Sequence, residues 1–366
     1  VSSPTSVLLA GGGSAGHVSP LLALADALAR RHPGIRISAL GTQSGLEARL
    51  VPARGLDLRF VPKVPLPRRP SPDLLRLPLR LRDAITAAGR AIDETGAEVV
   101  VGFGGYVSTP AYLAARRRGV PIVVHEQNAR PGLANRLGAR WTPYVATTFS
   151  ASALPHATRV GMPLRHEIAT LDRAALRGEA LEHFGLESQW PTVLVTGGSL
   201  GAQRLNDAFR DRVGVLSRAG IQVLHITGAG KEFEPDLPTT GAPYVTVPYA
   251  DRMELAYSAA DLVVARSGAN TVAELTTVGL PAVYVPLPIG NGEQRLNAAE
   301  VVATGGGLLV PDDDFTPDWI DGELVPLVAD RERVARMAGA AASLGEPAAD
   351  ERLADLVDSA AAGSRA

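Results

Sequence analysis

Val7-Leu8-Leu9-Ala10-Gly11-Gly12-Gly13-Ser14-Ala15-Gly16-His17 stands near the start of the chain: an apolar run, a glycine-rich turn carrying a serine, then a histidine. Far downstream, Val193-Leu194-Val195-Thr196-Gly197-Gly198-Ser199-Leu200-Gly201 repeats the construction. A short apolar run bounded by glycines reads as a buried strand, and the glycines let the backbone turn tightly into a helix. Leu21, Leu24 and Leu28 then recur at helical spacing. Residues 35–40, Val99-Val100-Val101 and Ile122-Val123-Val124 continue the strand series around the first copy. Gln222–Ile226, residues 245–247, Leu262-Val263-Val264 and residues 282–285 do so around the second. Alternating strands and helices predict parallel sheets covered on both faces, so the fold class is α/β with two Rossmann-like domains.

The 366 residues exceed one typical domain, in keeping with that division. The boundary is expected at Gly161-Met162-Pro163, giving domains 1–163 and 164–345. A last helix, about 346–366, carries Leu353, Leu356 and Val357 on one side; periodicity leaves open which domain it joins. There is no cysteine, which excludes disulfides, thiol nucleophiles and cysteine metal sites and suits a reducing compartment. A net charge of -2 gives no overall pull toward nucleic acid, and no nucleic-acid partner is expected. Val1 to Ala10 carries no basic residue, unlike a signal peptide, and no run approaches the roughly 18 apolar residues of a membrane span. The expected location is the cytoplasm, or a membrane surface without crossing it.

Gly11, Gly13 and Gly16 fit G-x-G-x-x-G, which suggests a dinucleotide loop, with amides at a helix N-terminus facing phosphate. A nicotinamide site also needs an acid at the end of the second strand for the ribose diol, and that strand ends Ala39-Leu40-Gly41-Thr42. His17 stands directly after Gly16 and before Pro20, where the helix is expected to open. An imidazole there can take a proton from a hydroxyl nucleophile, or simply be capped by backbone. Arg266-Ser267-Gly268-Ala269-Asn270-Thr271-Val272-Ala273-Glu274 follows a buried strand and starts a helix. Its amides and Thr271 suit a diphosphate, and Glu274 can accept from a ribose diol; the plainer alternative is that Ser267 caps the helix. Gln294 and Asn297, one turn apart, place two amides where sugar hydroxyls can be held. Gly104-Gly105-Tyr106-Val107-Ser108 and His125-Glu126-Gln127-Asn128 follow successive strands, at the sheet edge where open α/β folds bind ligands.

In these motifs, in their order and spacing, the chain resembles the UDP-N-acetylglucosamine:N-acetylmuramyl-(pentapeptide) pyrophosphoryl-undecaprenol N-acetylglucosamine transferases, the MurG family, over nearly its whole length. The resemblance implies a GT-B fold with two parallel sheets facing a central cleft, and inverting, metal-independent transfer without cofactor. The implied donor is UDP-N-acetylglucosamine. The implied acceptor is the 4-hydroxyl of polyprenyl-linked N-acetylmuramyl pentapeptide, at the lipid I to lipid II step of peptidoglycan synthesis. Implied donor contacts are Ser14, Ala15, Gly16, Asn128, Arg165, Ser199, Ala250, the run Ala269, Asn270, Thr271, Val272, Ala273 and Glu274, and Gln294. Ala250 would face uracil through its backbone. The chain departs from the family at Ser14, Ala15, Met162, Leu200 and Glu293, where threonine, glycine, asparagine, glutamine, and glutamine or histidine are usual.

Glycosyl transfer requires a base and stabilisation of the departing diphosphate. His17 is the expected base, with Glu126 and Tyr106 as alternative groups to hold or activate the acceptor. Asp312-Asp313-Asp314 lies far in sequence from the glycine loops and reads as a solvated loop with a helix cap, not a metal site. Segment 59–82 interleaves Phe60, Val61, Leu66, Leu74, Leu75, Leu77, Leu79 and Leu81 with Lys63, Arg68, Arg69, Arg76, Arg80 and Arg82. That mixture suits an anionic membrane surface on the cytoplasmic face, or a surface loop followed by an amphipathic core helix. Two rivals remain: another GT-B transferase with a different acceptor, and a nucleotide-binding regulator without chemistry.

Overall fold

The computed structural model describes residues 3–64, 73–198, 202–288 and 291–363. The chain forms two compact units: one runs to Arg165 and takes up the chain again from Ala348, the other is His166–Pro347. Among the described residues the first unit holds a seven-stranded sheet: β1 (Ser6–Ala10), β2 (Arg36–Gly41), β3 (Asp57–Phe60), β4 (Val99–Gly102), β5 (Ile122–Glu126), β6 (Val145–Thr147) and β7 (Ala157–Arg159). Its order is β3-β2-β1-β4-β5-β6-β7 and each pairing is parallel. The second unit holds β8 (Thr192–Thr196), β9 (Gln222–Ile226), β10 (Tyr244–Val247), β11 (Leu262–Ala265), β12 (Ala282–Tyr284) and β13 (Gly307–Leu309), in the order β10-β9-β8-β11-β12-β13, also parallel. Both units are Rossmann-like.

The apolar runs arise because each central strand is covered on both faces. Along β1, side chains alternate between two cores. Val7 and Leu9 join Leu21, Leu24 and Leu28 of α1 (Ala15–Arg31). Leu8 and Ala10 join Ile85 and Ile92 of α3 (Asp73–Thr95) and Tyr112 of α4 (Gly105–Arg118). Each fully buried leucine contributes roughly 1.5–3 kcal/mol. Between α1 and α3 runs the short α2 (Glu47–Ala53), and α5 (Leu133–Gly138) follows β5.

In each sheet the strand order reverses beside the first strand, between β1 and β4 and between β8 and β11. A crevice opens at such a reversal, outside the carboxyl ends of the strands. The loops after β1, β4 and β11 therefore fall at ligand-binding positions of their own units.

Several elements differ from the sequence reading. β3, β6 and β7 carry no apolar run of their own, being short or at the sheet edge. Helix α1 starts at Ala15, so His17 lies inside its first turn and Pro20 within the helix. The turn closes on Ser14, whose carbonyl accepts from His17 N (3.1 Å) and Val18 N (3.2 Å), and proline forfeits only its own bond. The helix Ala349–Gly363 packs on α1, with Leu353 and Val357 in the β1 core. Arg30–Asp350 (2.7 Å), Arg31–Glu351 (2.8 Å) and Arg31–Asp355 (2.6 Å) pair across that contact. No helix among the described residues is long and apolar enough to cross a membrane.

Candidate active site

In the first unit, the glycine loop after β1 meets the loop after β4. Gly104 and Gly105 take positive φ (88° and 76°). A Cβ on Gly104 would stand 3.3 Å from His17 Nε2, and one on Gly105 2.9 Å from the Gly12 carbonyl. Glycine at both positions therefore lets the His17 ring lie against backbone. Ser108 fixes the junction: its buried hydroxyl donates to the carbonyls of Ala10 (3.0 Å) and Gly104 (2.8 Å) and accepts from Gly104 N. His17 is half-buried, with Nδ1 3.0 Å from the Ser14 hydroxyl. Burial holds its imidazole below the ordinary value, opposed by a Gly12 backbone bond and the Glu47 charge, so the ring is neutral at neutral pH. Ser14 is exposed, Ala15 and Gly16 are half-buried, and Tyr106 is exposed, with Lys63 Nζ 5.8 Å over its ring.

The stretch after β5 behaves differently from expectation. Glu126 is 2% exposed, and its carboxylate accepts from Asn128 N (2.9 Å), Gly132 N (2.9 Å) and Asn135 Nδ2 (3.0 Å). Burial pushes its pKa up and these donors pull it back only in part. Glu126 thus organises its own loop instead of reaching toward an acceptor. His125 is buried, its Nε2 2.9 Å from the Gly161 carbonyl, and burial lowers its pKa to about 4. Asn128, half-buried, ends this stretch, and Arg165 is half-buried where the first unit ends. Met162 is buried and accepts from the Thr148 hydroxyl through sulfur.

In the second unit, the helix Ala269–Thr277 starts after β11, capped by extended Gly268 with no side-chain cap. Ser267 is therefore not the cap; it is fully buried, and its carbonyl accepts from Asn297 Nδ2 (3.3 Å). Asn270, Thr271, Ala273 and Glu274 are half-buried, while Ala269 and Val272 are buried. Glu274 accepts from the Tyr257 hydroxyl at 2.6 Å. Thr271 and Glu274 are three apart and share a helix face. Ala250 is buried after β10. Gln294, half-buried in the helix Glu293–Ala303, accepts from Leu287 N through Oε1 (2.9 Å). Asn297 is 1% exposed and bonds inward, so the two amides do not face one ligand together.

Asp312, remote in sequence, is beside the loop after β11 in space. It pairs with Arg266, whose Nη1 also donates to the Val285 carbonyl (3.1 Å), and lies 3.6 Å from Arg204. The following turn is capped by Thr316, not by an aspartate. Sequence reasoning missed Glu47, Tyr257, Asn135 and the Arg266–Asp312 pair; each acts through a partner distant in sequence. Among the described residues no group of three or more acidic or histidine side chains could hold a metal ion. Ser199, Leu200, Leu66, Arg68 and Arg69 lie outside the described residues, as do the side chains of Leu74, Leu75 and Arg76.

Residues 7–147 match the glycosyltransferase family 28 N-terminal domain and residues 192–353 its C-terminal domain. A UDP-N-acetylglucosamine--N-acetylmuramyl-(pentapeptide) pyrophosphoryl-undecaprenol N-acetylglucosamine transferase of Acidothermus cellulolyticus is 58% identical, covering 98% of this chain and 99% of its own. The protein of that name from Streptomyces avermitilis is 55% identical, covering 96% and 97%. Among solved structures, MurG of Acinetobacter baumannii superposes with a TM-score of 0.78 at 28% identity, over 97% of this chain and all of that one. The calicheamicin glycosyltransferase CalG4 shares the fold at 21% identity and a TM-score of 0.66. With both family domains matched in order and relatives above 50% identity end to end, the chain belongs to glycosyltransferase family 28, among the MurG transferases.

Proposed function

We propose that this chain moves N-acetylglucosamine from UDP-N-acetylglucosamine to the 4-hydroxyl of polyprenyl-linked N-acetylmuramyl pentapeptide, with the first unit serving the acceptor and the second the donor. One observation carries the donor assignment. At the carboxyl end of β11, the N-terminus of the helix Ala269–Thr277, which has no side-chain cap, combines with Thr271 and Glu274 on one face. Helix N-terminal amides and a hydroxyl suit a diphosphate, and a carboxylate oriented by Tyr257 suits a ribose diol. The family resemblance adds Ser199, Arg165, Asn128 and the start of α1 (Ser14, Ala15, Gly16), and sets the Ala250 backbone against uracil. Gln294 would hold sugar hydroxyls.

His17 takes the proton of the 4-hydroxyl as that oxygen attacks the anomeric carbon. The anomeric C–O bond to UDP breaks, the configuration inverts, and helix amides stabilise the departing diphosphate. A neutral ring is what a base requires, and burial keeps it neutral.

Peripheral membrane binding through the first unit fits a lipid-linked acceptor. Phe60 (47%) and Leu79 (63%) are exposed, close in sequence to Lys63, Arg80 and Arg82, and the Lys63–Tyr106 contact ties the segment to the β4 loop. Val61 is buried and Leu81 packs against the core, which narrows the inserting set. Incubation with labelled UDP-N-acetylglucosamine and a short-chain lipid acceptor should yield labelled disaccharide lipid. Transfer only to a soluble sugar, or nucleotide binding without transfer, would point to the rival readings.

A further inference from the structure

Glu47 is a buried carboxylate that the chemistry above does not use. It is 0% exposed, and a Cβ on Gly12, Gly41 or Gly45 would overlap its carboxyl group or stem. Three glycines thus build the space it fills. Oε1 accepts from Thr42 N and the Thr42 hydroxyl (both 2.8 Å), and Oε2 accepts from Gly13 N (2.8 Å). Burial would raise its pKa, but these donors outweigh it and hold the group below its ordinary value, hence ionised. In a dinucleotide-binding unit an acid after the second strand faces ribose, and the loop amides face phosphate. Here the acid turns back into the loop and takes the Gly13 amide itself.

The Gly13 N–H and the Gly12 C=O belong to one planar peptide group. Glu47 holds the N–H end. The Gly12 carbonyl and the His17 ring lie against the same glycine: a Cβ on Gly105 would stand 2.9 Å from that carbonyl and 3.6 Å from His17 Nδ1. The Ser14 hydroxyl, one residue past Gly13, is 3.0 Å from the same nitrogen. The carboxylate therefore fixes the peptide plane and the turn against which the imidazole rests. We propose that Glu47 is a positioning residue for transfer, holding His17 in its working orientation and tautomer through the Gly12–Ser14 turn. This rests on His17 being the base.

The test compares Glu47→Gln, Thr42→Val and His17→Ala. Glutamine keeps the volume but cannot answer the Gly13 and Thr42 donors together. Glu47→Gln should turn over about tenfold more slowly or worse at an unchanged donor KM, and the ¹⁵N spectrum of the His17 ring should shift toward mixed tautomers. Thr42→Val removes one hydroxyl donor off the Gly13 path and should stay within about threefold of the parent. Parental turnover in Glu47→Gln, an equal loss in both variants, or an unchanged His17 spectrum overturns the proposal. If His17→Ala turns over normally, the base assignment fails separately, and the ring spectrum alone decides for Glu47. One measurement needs no variant: the Gly13 amide proton should exchange slowly and resonate far downfield, and fast exchange there would also overturn it.

Discussion

Removing the Glu274 carboxylate tests the donor site at its centre. Two ribose hydroxyls donating to a carboxylate form charge-assisted bonds, each contributing about 1.5–3 kcal/mol. Glu274→Ala removes both, so UDP-sugar binding weakens by roughly 150-fold or more. The structure adds a second cost. The Tyr257 hydroxyl donates to Glu274 at 2.6 Å, and Tyr257 is 2% exposed. Truncation removes that acceptor from a buried hydroxyl and lowers stability by about 1–3 kcal/mol, apart from any effect on ligand. Tyr257→Phe separates the two effects, because it removes the hydroxyl and leaves the carboxylate. The assay is calorimetric titration of UDP into each variant, with urea unfolding measured alongside. Tyr257→Phe should bind UDP within several-fold of the parent, and the double variant should recover stability but not affinity. A folded Glu274→Ala that binds UDP as tightly as the parent would refute the ribose assignment.

His125 lies buried with its pKa lowered by burial from 6.5 to about 4, so the unfolded chain binds its proton first. Its contribution is whole above pH 6.5 and is lost as pH falls toward 4, by about 3 kcal/mol. Urea midpoints of His125→Gln should accordingly fall less across that window than the parent's, and parallel curves would contradict the burial argument. Turnover should survive exhaustive chelation, since Asp312 is paired with Arg266 and Asp313 with Arg204 (3.0 Å). Restoration of a chelated enzyme by magnesium or manganese would reopen that aspartate run. Replacing Arg80 and Arg82 with Gln should weaken binding to anionic vesicles by about 1 kcal/mol each while sparing a soluble acceptor analogue. Equal failure on soluble and long-chain acceptors would make the segment structural.

The duplicated strand, glycine turn and helix at Val7 and Val193 sufficed to infer two Rossmann-like units. Strands covered on both faces must be apolar throughout, and that signal is local. The same reading put Thr271 and Glu274 where a helix starts after a buried strand. It could not reveal β3, whose Asp57–Phe60 lies at the sheet edge and needs no apolar run. Nor did periodicity distinguish Gln294 from Asn297, which differ by which backbone group each meets: Leu287 N for one, the Ser267 carbonyl for the other. Asp312 reads as solvated until the strand order brings Arg266 to it. Glu126 reads as a free carboxylate until its own loop closes over it, and Glu47 looks like one more helix-start acid until β1 and β2 pair. Side-chain identity and spacing encode which face of an element is buried. Which polar group waits at that face depends on segments from a few to tens of residues away, and only the packed fold brings them within hydrogen-bonding distance.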